Sequence, residues 1–177
     1  MSHNLFEIGY IQVYTGNGKG KTTAAIGVTM RAAASKMKVF FGQFMKNTFS
    51  SEHIVFSAYS QYITFEQFGA GGFIRGKPST EDYEKAAAGW QRCKTVLQSG
   101  DYDLTVLDEL NTALKFGLLP VSEVVDCLCR KSKQMEVIIT GRYAPEEIIN
   151  IADLVTEVKE VKHYFTQGVG ARKGIEE

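Results

Sequence analysis

Short apolar runs rich in β-branched residues alternate along the chain with longer segments that carry one apolar face. The short runs predict strands at residues 8–14, 38–44, 61–68, 104–107, 136–140 and 154–161. The longer segments predict helices at residues 22–36, 79–99, 121–131 and 145–152. Alternating strands and helices are typical of a mostly parallel sheet with helices on both faces, so the pattern predicts an α/β fold. Ligands of such sheets bind at the carboxyl ends of the strands.

Two other segments lack this periodicity. Residues 69–77 contain four glycines and are expected to form a loop, and the tail from His163 onward is expected to be irregular. The helix that follows the loop has Ser79 or Thr80 as its candidate N-cap. Trp90, the only tryptophan, lies in the middle of that helix and is expected in the core rather than in contact with a cofactor.

Length and charge narrow the classes of protein that fit. A chain of 177 residues predicts a single domain over residues 1–177. Twenty basic residues balance 20 acidic ones, so we expect neither nucleic acid nor a membrane surface as a partner.

No stretch approaches the roughly 18 apolar residues of a membrane span, and residues 1–7 lack the features of a signal peptide. Three cysteines do not form a disulfide framework. The expected compartment is the cytoplasm.

A glycine-rich segment between the first predicted strand and the first predicted helix carries the strongest motif. Its candidate ATP-binding residues are Gly16, Asn17, Gly18, Lys19, Gly20, Lys21, Thr22 and Thr23. Strand, loop, Gly-Lys-Thr and helix together are the context that a P-loop requires. The backbone amides and the helix N-terminus attract phosphate, and Lys21 adds a full positive charge. Thr15 stands where the usual pattern has its first glycine.

An acidic pair ends the fourth predicted strand. Asp108 and Glu109 follow the apolar residues 104–107, as in the second signature of P-loop proteins. Mg²⁺ prefers oxygen ligands, so Thr22, Asp108 and Glu109 are the predicted magnesium ligands. If the strand continues, the two acidic side chains point in opposite directions. Glu109 has a competing role, the activation of a water molecule, and Asp108 alternatively caps the next turn.

Several blocks of sequence resemble the P-loop corrinoid adenosyltransferases of the cobinamide/cob(I)alamin type. The blocks occur in one order between residues 9 and 176, and they are residues 16–23, 106–110, 137–142, 144–147, 152–157, 161–163 and 173–176. The resemblance implies a RecA-like P-loop fold and a homodimer. It also implies Mg²⁺-dependent transfer of the 5′-deoxyadenosyl group of ATP to the Co(I) centre of a reduced corrinoid, with release of triphosphate. On this basis Lys21, Thr22 and Glu109 are the predicted catalytic residues, and a reductase is the expected partner that supplies electrons.

The resemblance also implies a corrinoid-facing loop at residues 68–75. Phe73 matches a phenylalanine of the family that helps to exclude the lower ligand of cobalt, whereas Arg75 stands where the family often has tryptophan. Arg142, just beyond a predicted strand, is a candidate contact for corrinoid, phosphate or a partner subunit. A core position for Phe73 and a surface salt bridge for Arg142 are the competing interpretations.

Two other functions remain open at the level of sequence. A P-loop kinase or ATPase would release ADP or phosphate, and a non-catalytic ATP-dependent corrinoid-binding protein would bind ATP without turnover. The sequence does not distinguish complete cobalamin from an earlier corrinoid as the substrate.

Overall fold

The computed structural model describes residues 6–71, 74 and 76–176. Six strands form one sheet, and every pairing of neighbouring strands in it is parallel. The strands are β1 (Ile11–Thr15), β2 (Val39–Phe44), β3 (Ile63–Phe68), β4 (Leu104–Asp108), β5 (Glu136–Thr140) and β6 (Leu154–Glu157). Their order across the sheet is β3-β2-β4-β5-β1-β6. The predicted α/β class is therefore confirmed.

Helices connect successive strands, as parallel pairing requires. They are α1 (Lys21–Ala34), α2 (Glu52–Ala58), α3 (Thr80–Ser99), α4 (Leu110–Lys115), α5 (Val121–Cys129) and α6 (Glu146–Ile151). A 3₁₀ turn (Tyr164–Gln167) follows β6. The long helix α3 begins with a capping box, in which Ser79 accepts from the Asp82 amide and Asp82 accepts from the Ser79 amide.

Two apolar cores lie on opposite faces of the sheet. Alternate residues of β2 show the division, because Phe41 packs in the core that includes residues of α1 and α2, whereas Phe40 packs in the core that includes residues of α3 to α6. Trp90 lies in the second core and is 1% exposed, which confirms its predicted position. β2 is buried along its whole length, as expected for a strand covered on both faces.

The structure differs from the sequence prediction mainly in short elements. Helices α2 and α4 were not predicted, since six or seven residues provide too few turns for a recognisable periodicity. β1 begins three residues later than predicted, and β6 has four residues instead of eight. The tail is not wholly irregular, because it contains the 3₁₀ turn.

Strand order determines where the two motifs of the sequence lie. β5 lies between β1, which leads into the glycine-rich loop, and β4, which ends at Asp108. All six carboxyl ends meet at one edge of the sheet, since the strands are parallel. The connection after β1 runs to β2 on one side, whereas the connection after β5 runs past β1 to β6 on the other side. Such reversals are where α/β sheets bind ligands.

Candidate active site

The glycine-rich loop lies against the residues that follow β6. The Gly18 amide donates to the Val158 carbonyl oxygen (2.8 Å), and Gly16 has a φ of 95°. A Cβ atom on Gly16 would lie 2.4 Å from the Val158 oxygen. Glycine is therefore required here both for the left-handed conformation and for the close approach of the two backbones.

Thr15 has a structural role that suits its departure from the P-loop pattern. It is the last residue of β1, and its hydroxyl accepts a hydrogen bond from the Ala144 amide (3.2 Å). This bond joins the start of the phosphate loop to the segment after β5.

Lys21 begins α1 and points back into the loop. Its side chain is largely buried, with 7% of the residue exposed, and its ammonium donates to the Gly18 carbonyl oxygen (2.6 Å). Burial lowers the pKa of Lys21, Glu109 and Asp108 act to raise that pKa, and Arg142 acts to lower it. The charges that act on Lys21 thus include the two acids that the sequence singled out.

A pocket of about 520 Å³ opens above the loop. Among the predicted ATP-binding residues, those from Gly18 to Thr23 line this pocket, and Glu109 and Arg142 line it as well. Asn17 instead lines an adjacent polar pocket of about 470 Å³, which shares Arg142. Gly16 lines neither, since it packs against Val158.

Asp108 is fully buried at the end of β4. Its two carboxylate oxygens accept from the Thr140 hydroxyl (2.6 Å) and from the Gln43 side-chain amide (2.8 Å). Gln43 in turn accepts from Gln67 (2.9 Å). These bonds join the ends of four neighbouring strands, β3, β2, β4 and β5. Asp108 does not line the pocket and lies behind Glu109.

Glu109 turns out of the sheet into the pocket. The strand ends at Asp108, and Glu109 has a φ of 59°, a left-handed conformation that is uncommon for a residue with a side chain. The two acids therefore diverge through this turn and not through strand alternation. Burial first, and then Asp108, raises the pKa of Glu109, whereas the Thr112 hydroxyl, Lys46 and Lys21 act to lower it.

Thr112 connects Glu109 with Arg142. Its hydroxyl donates to the Glu109 carboxylate (2.5 Å) and accepts from the Arg142 amide (3.2 Å). Arg142 follows Gly141 at the end of β5 and lines both pockets. Tyr143, the next residue, again has a positive φ, 60°. Sequence reasoning placed Arg142 at this edge but did not identify Thr112.

The C-terminal segment reaches the phosphate loop. The Lys19 ammonium donates to the Ile175 carbonyl oxygen (3.2 Å) and lies 3.6 Å from the Glu176 carboxylate. Glu176 also accepts from Tyr164 and from the backbone and guanidinium of Arg172. Together with His163, residues 174–176 form part of the pocket wall. Sequence reasoning assigned no role to this segment.

Helix α2 and Lys46 form the opposite wall, which sequence reasoning also missed. Ser51, Glu52 and Val55 line the pocket beside Lys46. Lys46 comes two residues after the end of β2, so the rule that ligands bind at strand ends would have indicated it. Phe73 and Arg75, the predicted corrinoid contacts, lie outside the described residues.

Within the described ranges, no group of three or more histidine, cysteine or acidic residues is placed to hold a metal ion. Thr22 and Glu109 supply one hydroxyl and one carboxylate to the pocket.

No helix among the described residues has the length and apolarity needed to cross a membrane.

Comparison with known proteins decides among the functions that this pocket allows. The family model described as ATP:corrinoid adenosyltransferase BtuR/CobO/CobP matches residues 7–176. The chain belongs to this family. A corrinoid adenosyltransferase of Pseudomonas aeruginosa is 37% identical over 171 residues, which are 96% of this chain and 84% of the relative. The corrinoid adenosyltransferase CobA of Salmonella typhimurium is also 37% identical, over 96% of this chain and 86% of its own length.

A solved structure supports the fold independently. A KaiC-like protein of Pyrococcus horikoshii superposes with a TM-score of 0.57 over 89% of this chain and 75% of its own, at 16% identity. At that identity the likeness concerns the fold alone. The RecA-like P-loop architecture implied by the family resemblance is confirmed.

Proposed function

We propose that this adenosyltransferase binds ATP in the pocket above the phosphate loop and transfers its 5′-deoxyadenosyl group to the Co(I) centre of a reduced corrinoid, in adenosylcobalamin synthesis or salvage. The observation that carries the proposal is that Lys21 and Glu109 face one pocket in a chain that matches the family over residues 7–176.

The reaction needs no general base from the protein. Co(I) supplies an electron pair to C5′ of ATP, the cobalt–carbon bond forms, and cobalt becomes formally Co(III). The bond between C5′ and its oxygen breaks, and the triphosphate leaves with the bonding pair. The protein therefore has two tasks, to hold C5′ in line with cobalt and to stabilise the charge that develops on the triphosphate.

The phosphate loop is suited to the second task. Amides from Lys19 to Thr23 and the N-terminus of α1 attract phosphate oxygens. The buried ammonium of Lys21 exchanges its 2.6 Å bond to the Gly18 carbonyl for a bond to a phosphate oxygen. Lys19 and Arg142 add positive charge at the two sides of the loop. Gly16 holds the loop in shape from behind, and Asn17 lies on the side of the second pocket.

The residues of the site fit a magnesium ion that keeps most of its water ligands. The Thr22 hydroxyl and the Glu109 carboxylate would hold it, since both line the pocket and both are oxygen donors. Asp108, whose oxygens already accept hydrogen bonds, would add negative charge behind them. Bound there, Mg²⁺ would neutralise part of the triphosphate charge.

We propose that the corrinoid contacts Arg142, Phe73 and Arg75. Phe73 would exclude the lower cobalt ligand, and Arg75 would meet a polar corrin side chain.

A reductase is the proposed electron donor, and the cytoplasm is the proposed compartment. A homodimer is the proposed assembly, and light scattering tests the dimer directly.

The competing functions make different products. Phosphoryl transfer or ATP hydrolysis would give ADP, and a non-catalytic binding protein would give no product. Phosphorus NMR of the reaction with Mg-ATP and cob(I)alamin is expected to show intact triphosphate.

Lys21→Ala should lower kcat/KM at least about 100-fold, because it removes a charged hydrogen-bond donor from a buried site. An unchanged kcat/KM, or ADP as the product, contradicts the proposal.

A further inference from the structure

Charged residues stand at four adjacent strand ends around the pocket. Lys46 follows β2, Glu109 follows β4, Arg142 follows β5 and Lys21 follows the loop after β1, and all four line the same pocket. Three of the four are cations. Lys46 lies three strand spacings from β1, or about 14 Å across the sheet edge, so it faces the phosphate loop from the opposite wall.

The backbone that presents Lys46 is tightly constrained. Met45, the residue before it, has a φ of 62°, a conformation that costs a residue with a side chain about 1 kcal/mol or more. Gly69 is the residue after the neighbouring strand β3. A Cβ atom on Gly69 would lie 2.4 Å from the Lys46 nitrogen and 2.7 Å from its carbonyl oxygen. A glycine at the end of β3 thus leaves room for the turn at the end of β2. Strained backbone that the surrounding structure enforces is concentrated at functional sites.

The side chain of Lys46 is half-buried, yet its ammonium has no hydrogen bond or salt bridge within the part of the chain that the structure describes. The other two lysines of the pocket differ in this respect, because Lys21 donates to Gly18 and Lys19 to Ile175. The positive charge of Lys46 does interact with Glu109 across the pocket, since it acts to lower the pKa of Glu109. A half-buried cation without a direct partner is poised for an anionic ligand.

We infer that Lys46 binds the triphosphate of ATP, and the triphosphate product, from the β2 side of the pocket. This inference rests on the proposed function for the identity of the anion. With Lys21 and Arg142 it surrounds the polyphosphate with positive charge. Glu109 lies between Lys46 and Arg142 in the order of the strand ends. Lys46 is then a binding residue for the leaving group, a role that no motif in the sequence assigns to it.

The test is calorimetric titration of the full chain with tripolyphosphate, Mg-ATP and adenosine. Lys46→Gln removes the charge and keeps most of the side-chain volume. It should weaken binding of tripolyphosphate and of ATP about 10- to 100-fold, the worth of one charge-assisted hydrogen bond, and leave adenosine binding unchanged. Lys46→Arg should recover most of the affinity. Lys85→Ala, an exposed position on α3, is the control that should bind all three ligands like wild type.

A second readout separates charge from shape. The dependence of tripolyphosphate affinity on salt concentration should be shallower for Lys46→Gln than for wild type, because one fewer cation is screened. Wild-type affinity for tripolyphosphate in folded Lys46→Gln, or equal losses for adenosine and tripolyphosphate, would overturn the inference. Neither readout requires corrinoid chemistry. A wild-type chain that binds tripolyphosphate but transfers no adenosyl group would therefore contradict the proposed function and not the role of Lys46.

Discussion

Asp108 shows how a motif residue can serve the structure behind a site. Its carboxylate accepts from β2 through Gln43 and from β5 through Thr140, and it is completely buried. The Thr140 hydroxyl also accepts from the Glu109 amide (3.0 Å). The position of Glu109 in the pocket thus depends on the bonds that Asp108 makes.

We predict that Asp108→Asn lowers the free energy of unfolding by about 1–3 kcal/mol. The side-chain N–H of the new asparagine would face either the Thr140 hydroxyl or the Gln43 amide, both of which donate to the carboxylate in wild type. One buried donor is then left without an acceptor. Urea denaturation measures the loss. Asp126→Asn, at an exposed position of α5, should stay within about 0.5 kcal/mol of wild type, and an equal stability of the two variants would refute the network.

Residue-level reasoning from sequence identified the side chains that belong to recognisable motifs. Lys21, Thr22 and Glu109 were predicted together, and they line one pocket. Thr112 was not predicted, because a threonine in a six-residue helix has no sequence signature. Lys46 belongs to no motif, and only its place after a predicted strand could have indicated it. Their positions depend on the left-handed turns at Glu109 and Met45, which nothing in the local sequence requires.

At the scale of elements, the phosphate loop depends on its contact with the segment after β6. That contact requires glycine at position 16. We predict that Gly16→Ala weakens ATP binding at least about 10-fold, because a methyl group 2.4 Å from the Val158 oxygen forces the loop away at a φ that alanine resists. Calorimetry with Mg-ATP measures the effect.

Gly27→Ala is the matched control for this prediction. Gly27 lies within α1, and a Cβ atom there would meet nothing within 4 Å. The substitution should keep ATP affinity and stabilise the fold by about 0.5–1 kcal/mol, since alanine is the better helix former. Similar ATP affinities for the two alanine variants would rule out the packing argument.

The C-terminal segment is held by a carboxylate with an unusually low pKa. Hydrogen bonds from Arg172 and then Tyr164 lower the pKa of Glu176 to about 2. A pKa below the ordinary value of 4.5 means that the contact contributes fully above about pH 4.5 and is lost as the pH falls through 2. We predict that the tail stays in place on the phosphate loop at pH 4.

A carbon-13 NMR titration of the glutamate carboxyl groups tests this prediction. The midpoint for Glu176 should lie near pH 2 in wild type and should move upward in Arg172→Gln, which removes the charged donor. A wild-type midpoint at an ordinary glutamate value would show that the tail does not make these bonds in solution.

At the scale of the whole molecule, alternating elements were sufficient to predict the parallel α/β sheet, because strand and helix periodicities differ and only one class of fold alternates them. The order β3-β2-β4-β5-β1-β6 could not be derived in this way, since pairing between strands far apart in sequence leaves no periodic signal. The same limit applies to the pocket wall, in which Lys19 donates to the carbonyl of Ile175, 156 residues further along the chain.

The proposed function requires attack at C5′ of ATP and not at phosphorus. The measurement that tests it most directly is an anaerobic reaction of the protein with Mg-ATP and chemically reduced cob(I)alamin, followed by visible spectroscopy with identification of the polyphosphate. Attack at C5′ should give loss of the Co(I) bands, a light-sensitive cobalt–carbon product and one triphosphate for each corrinoid converted. Unchanged Co(I) bands, with ADP and phosphate accumulating, would contradict it.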